Sequence, residues 1–339
     1  MPSTRLKVDR WKCVALVSKI KRHNPTIIFY NMDVTLSNKF NSIYIIETLL
    51  EGDLKTGRDL YEICIYPLGN LREDLYTNLS QPNSKNEFLQ TLTWIIDDCK
   101  NNNRWPILHI DSHGCSEGIA TASHELITWA ELKPYLCALN EISRLNLLVV
   151  MAACNGMDLA KVILPTDRAP VWGIIGPPHP VQAGRVIDGF KAFYNKFFDT
   201  YDGSEALNSL NSSPDVKDWD FCFINTERFF MYVYKNYMES LCTEAALVER
   251  SKKIVKKLIA GRPVNSDDEK RMVAELHILS KSTQQVFFEK HKVHFFMIDL
   301  IKENEHRFQV TFEQCKRFLE DRDSGDTILN FGNFHSSFV

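Results

Sequence analysis

A chain of 339 residues is long enough for one large α/β domain and a smaller appendage. With 44% hydrophobic and 24% charged residues it reads as globular, which excludes wholesale disorder and a membrane-embedded body. A formal net charge of −3 supplies no general positive field for phosphate backbones, so no nucleic-acid partner is expected.

The first forty residues hold the short apolar stretch Ile27 to Tyr30 but no clear period. Met1 to Arg22 mixes basic and apolar residues without a signal-peptide core, and no apolar run approaches the ~20 residues that span a bilayer. The reading is a cytoplasmic protein with no membrane partner. Ser42 to Leu50 (SIYIIETLL) and Leu60 to Leu68 (LYEICIYPL) are β-rich and flank a turn-like stretch with two glycines, which predicts a hairpin or adjacent strands. Asn86 to Lys100 places Phe88, Leu89, Leu92, Ile95, Ile96 and Cys99 at helical spacing, and Asn101 to Asn103 break the pattern.

Trp105 to Asp111 (WPILHID) is a short apolar strand, and Trp129 to Leu139 is a helix with Thr128 as N-cap. Leu145 to Ala153 (LNLLVVMAA) is a continuous apolar run of strand length, as burial on both faces of a sheet requires. Val171 to Ile175 is a further strand, and Gly184 to Asp199 carries Ile187, Phe190, Phe193, Tyr194, Phe197 and Phe198 on one helical face. Strand and helix alternate, which predicts a mostly parallel sheet covered by helices on both sides, with right-handed crossovers and functional groups at the strands' carboxyl ends.

Beyond about residue 215 a short apolar piece, Phe221 to Ile224, gives way to long helical patterns. Ser266 with Glu269, and Thr311 with Gln314, carry capping-box signatures. The predicted organisation is an α/β three-layer sandwich over residues 1–215 and a helical C-terminal region over 216–339. The basic run Arg250 to Arg262 reads as the solvated face of a helix, and Phe229 to Tyr237 as core or a protein contact. No glycine-rich phosphate loop occurs, and no cofactor is expected.

Two segments end predicted strands in chemically loaded turns: Asp111-Ser112-His113-Gly114 and Ala152-Ala153-Cys154-Asn155-Gly156. One predicted helix and one strand separate them, so the turns can lie on neighbouring parallel strands ~5 Å apart. The nine cysteines form no short-spaced framework and include no Cys-x-x-Cys pair, which suits free thiols in a reducing compartment and argues against structural zinc. His109, His113, Cys115 and His124 are a conceivable metal set, and His109 and His113 would share a strand face, but nothing else in the spacing is metal-like and no metal is assigned. Asp111 would share the face of His113 if the strand ran on. The chain is expected to be turning there, which leaves Asp111 a surface or supporting role.

The two turns resemble the His-Gly and Ala-Cys-x-Gly motifs of the caspase-like cysteine peptidases, most closely those of the bacterial CHAT branch. The similarity covers roughly Ser42 to Leu210 and is strong over Ile107 to Phe198, including the Phe-Tyr helix after the strands. The chain departs by having Ala152 where caspases have Gln and a shorter gap between His and Cys. The resemblance implies a caspase-like sandwich in which Cys154 is the nucleophile and His113 its base, with the backbone N–H groups of Gly114 and Cys154 as oxyanion hole. It implies an endopeptidase acting on a protein substrate through a thioester acyl-enzyme, controlled by an activating protein partner and often part of bacterial antiviral defence.

A thiol with a reference pKa of about 8.5 is largely protonated at neutral pH, and a neighbouring histidine makes it an effective nucleophile. Metacaspase-like enzymes carry an Asp two residues before the Cys; here Ala152 stands there. The loop Gly176 to Gln182, mainly uncharged, is the expected pocket wall, which points to an apolar or small P1 residue. The C-terminal helices are expected to dock a partner or to autoinhibit. Two other readings remain open: an inactive caspase-like scaffold that binds proteins, and an acyltransferase using the same thiolate.

Overall fold

A computed structural model describes residues 40–177, 186–214, 216 and 221–320, without the side chains of 318–320. Strand β1 (Ser42–Thr48) leads to helix α1 (Thr56–Leu60), which passes through a π-helical turn (Tyr61–Ile65) into α2 (Tyr66–Leu71). Then come β2 (Tyr76–Ser80), α3 (Lys85–Asn102), β3 (Pro106–Cys115), the short strands β4 (Gly118–Ala120) and β5 (Leu126–Thr128), and α4 (Trp129–Ile142). Next are β6 (Leu148–Ala152), a 3-10 helix (Gly156–Val162), β7 (Gly173–Gly176), α5 (Ile187–Thr200), α6 (Gly203–Asn211) and β8 (Cys222–Asn225). The C-terminal region is α7 (Thr226–Leu241), α8 (Glu244–Leu258), α9 (Ser266–Ser282), α10 (Gln284–Phe295), α11 (Asn304–Arg307) and α12 (Phe312–Glu320).

The sheet runs β2-β1-β3-β6-β7-β8; every neighbouring pair is parallel except β7 with β8. The chain is therefore an α/β three-layer sandwich with a mostly parallel sheet and a helical C-terminal region. Strand parity sorts the layers. Tyr44, on one face of β1, donates its hydroxyl to Asp98 of α3, whereas Glu47, on the other face, accepts from the backbone N–H of Arg58 in α1. Every residue of β1 is buried, and so are Leu148 to Met151 of β6, as the apolar run of that segment requires.

Two expectations need correction. Leu60 to Leu68 is helical, not a strand: its buried residues are Leu60, Cys64 and Ile65, a helical spacing that its β-prone side chains conceal. The next strand in the chain, which pairs with one edge of β1, is instead the polar, half-buried β2. In the C-terminal region Thr311 and Gln314 do form a capping box, with Gln314 N–H on Thr311 Oγ1 and Thr311 N–H on Gln314 Oε1. The N-cap of α9, however, is Asn265, one residue before Ser266: its Oδ1 takes the N–H groups of Asp267 and Asp268. Phe229 to Tyr237 lies in α7 with Phe229, Phe230, Val233 and Tyr234 buried, so this stretch is core.

Helices α7, α10 and α12 share one hydrophobic core with the sandwich, whereas α8 and α9 contribute no residue to it. Phe230 packs on Phe295 and Phe296 with ring centroids 4.9 and 5.0 Å apart, and Arg168 forks onto the carboxylate of Asp299. Among the described residues no helix is long and apolar enough to cross a membrane. Ile27 to Tyr30 lies outside the described residues.

Candidate active site

Parallel register sets the site. Glu47 of β1 pairs with Asp111 of β3, and Asp111 pairs with Ala152 of β6. His113 and Cys154 each stand two residues beyond that last pair, at the carboxyl ends of adjacent strands. The two ends behave differently. β3 does not turn after Asp111 as expected; it runs straight to Cys115 because β4 pairs with its last three residues, matching His113 to Ala120. Asp111 and His113 therefore share one face.

β6 instead ends abruptly. Asn155 adopts the left-handed conformation (φ 57°), which asparagine tolerates better than most residues, and its carbonyl accepts the N–H of Asp158 as the 3-10 helix begins. The tight exit from the strand is thus made by Asn155, not by the glycine after it. Gly156 serves packing: a Cβ there would lie 2.2 Å from Met151 Cγ. Cys154 sits at this corner, half-buried and in no disulfide.

Gly114 is where the two strand ends touch. A Cβ at this position would stand 1.9 Å from the Cys154 carbonyl oxygen and 2.9 Å from its nitrogen, so only glycine lets the backbones meet. The contact sets the backbones of Gly114 and Cys154 against each other, with His113 the preceding residue on β3.

A residue not foreseen from the sequence completes the group. Asp53, in the loop after β1, places Oδ2 2.7 Å from His113 Nε2 and accepts the N–H of Leu50 at 2.9 Å through the same oxygen. Lys55 ties the loop by donating to the carbonyls of Leu49 and Leu50. The imidazole–carboxylate pair is partly open, with side-chain exposures of 43% for His113 and 27% for Asp53. The only sequence signal for Asp53 was its place just after a predicted strand; the adjacency of β1 and β3 gives it a partner.

Beneath this rim lies a buried polar layer. Asp111 is 5% exposed, accepts Thr56 Oγ1–H at 2.5 Å, and has its carboxyl pushed up to about 7 by burial, with Glu47 adding to the rise. It is therefore a buried group, which excludes the surface role of the two expected and leaves the supporting one. Glu47 accepts from Arg58 N–H and from Gln81 Nε2. His109, on the same face further back, contacts Tyr194 OH at 3.0 Å and the ring of Phe190, and burial lowers its pKa to about 3. His109 is thus a neutral core residue, while His124 lies in the turn between β4 and β5. Among the described residues no three His, Cys, Asp or Glu side chains stand together as a metal site.

Of the expected pocket wall, Gly176 and Pro177 are described, and 178–182 lie outside the described residues. No protein-family model matches this sequence, and no curated protein is similar to it.

Proposed function

We propose that the chain is a cysteine endopeptidase of the caspase-like kind, akin to the CHAT branch, with Cys154 as nucleophile and His113 as base. The observation that supports this reading is the Gly114–Cys154 backbone contact, which joins the strand end that carries the nucleophile to the one whose imidazole is held by a carboxylate. The motifs that prompted it meet on adjacent strands, and the parallel-sheet sandwich fits the fold they imply.

In this mechanism Asp53 keeps a proton on His113 Nε2, leaving the Nδ1 lone pair to take the proton of the thiol. The Cys154 sulfur attacks the scissile carbonyl, and the resulting oxyanion meets the N–H groups of Gly114 and Cys154. His113 then gives its proton to the leaving amine as the C–N bond breaks. Water, deprotonated by His113, hydrolyses the thioester and releases the free thiol. Asp53 touches no substrate; it is a positioning residue. Ala152 leaves no acidic group two residues before the nucleophile, which favours a small or apolar P1 residue. The protein is cytoplasmic in this reading, and a protein partner controls it.

The test compares the wild-type chain with Cys154→Ala and Asp53→Asn on a diverse peptide library, with co-encoded proteins as candidate activators. Cleavage is expected to vanish in the first and to fall ~10²–10⁴-fold in the second, with His113 in the wrong tautomer. Cleavage that survives Cys154→Ala overturns the proposal. Inertness of Cys154 toward an electrophilic peptide ketone, with or without those activators, favours the inactive scaffold.

A further inference from the structure

Away from the strand ends, α7, α8, α9, α10 and α12 enclose a cavity of about 260 Å³. Its walls are mostly aliphatic and aromatic, with Leu247 and Ile254 of α8, Leu276 and Leu279 of α9, Phe287 of α10 and Phe312 of α12, and with Ser280, Thr283 and Gln284 among them. A concave, mostly apolar pocket with a few polar groups is the usual form of a small-molecule site. The rim favours a guest. Leu279, Phe287 and Ile254 are 55%, 46% and 37% exposed, so the cavity opens to solvent through apolar side chains.

One corner is polar. Arg250 reaches the cavity wall beside Tyr237 and Cys242, donating Nη2–H to the Leu241 carbonyl at 2.6 Å and hydrogen-bonding the phenol and the thiol. None of these partners neutralises a guanidinium: the carbonyl is uncharged, and burial pushes the Tyr237 and Cys242 pKa values up, keeping both protonated at neutral pH. A mostly apolar pocket with, among the described residues that line it, a single cation at one corner matches a short hydrocarbon tail ending in an anion. The volume lies just below the usual range for drug-sized ligands, which sets the tail at medium length.

We infer that this cavity is a binding site for a medium-chain amphiphile, a fatty carboxylate whose chain fills the space and whose head pairs with Arg250. The inference stands apart from the peptidase reading, because it uses no residue of that site.

Calorimetric titration of the full chain with sodium decanoate, below its micellar concentration, and with decan-1-ol tests it. The wild type is expected to bind decanoate at least tenfold more tightly than the alcohol, and Arg250→Met to erase that preference while still binding the alcohol. Ser280→Phe, which fills the cavity from α9, is expected to abolish both, with circular dichroism confirming that it folds. Decanoate should also slow alkylation of Cys242, read by peptide mass mapping. Absence of decanoate binding to the wild type overturns the site, as does binding that survives in both variants.

Discussion

The carboxyl end of the sheet and the cavity among the C-terminal helices are built by opposite means. At the sheet, backbones are in contact and the space between them holds carboxyl and imidazole groups: Gly114 lies against Cys154, Asp53 on His113, Asp111 on Thr56. Among the helices, bulky side chains keep backbones apart and leave an open apolar volume with a single guanidinium. Parallel strands fix main chain to a register of fractions of an ångström, as a reacting centre requires, whereas helix packing fixes shape and apolar lining, which is enough for a hydrocarbon guest.

Three changes sharpen or break that contrast. The largest effect is expected from Gly114→Ala, whose methyl group would meet backbone on the Cys154 side and can be relieved only by moving β3 from β6. It should cost more than about 3 kcal/mol in urea denaturation and shift the alkylation rate of Cys154. An unchanged unfolding midpoint would show that the strand ends are not in contact.

A second change probes the junction between the regions. Arg307 of α11 donates to the carbonyls of Arg144 and Leu145 and to Asn146 Oδ1, just before β6. Arg144 and Leu145 both have positive φ, at 56° and 60°, conformations that cost a bulky residue free energy unless the surroundings hold them. Arg307→Met should cost about 2–4 kcal/mol, measured by the same denaturation. A loss below about 0.5 kcal/mol would mean that the helices do not brace this turn.

A third effect lies in the pH dependence of stability. Asp111 has a folded pKa of about 7 against an unfolded value near 3.9, so the folded chain holds the extra proton between those values. Its contribution to stability therefore falls as pH rises through that window, by up to about 1.4 kcal/mol per pH unit. His109, with a folded value of about 3 against roughly 6.5 unfolded, works in the other direction: the unfolded chain binds its proton first, and stability rises with pH between those limits. The two slopes oppose each other from about pH 4 to 6.5. Asp111→Asn removes the falling one, so its stability should climb more steeply with pH than the wild type's in urea titrations across that range. Parallel slopes would show that Asp111 is not a buried protonated acid.

The sequence carried β6 plainly, because a strand buried on both faces must be apolar throughout, and it carried α3 and α4 through their spacing and caps. It concealed β2, whose polar residues (YTNLS) belong to a half-buried edge, and it disguised Leu60 to Leu68, where Tyr, Ile and Cys favour a strand locally while packing wants Leu60, Cys64 and Ile65 on one helical face. That the turns of His113 and Cys154 end neighbouring strands was legible too, since each closes a short apolar run with one helix and one strand between them. That Asp53 holds His113, that Asp111 is buried, and that Arg250 stands over an apolar space were decided by tertiary structure alone. Each depends on which strands or helices become neighbours, and that follows from the whole chain's burial of apolar surface and not from any local run of residues.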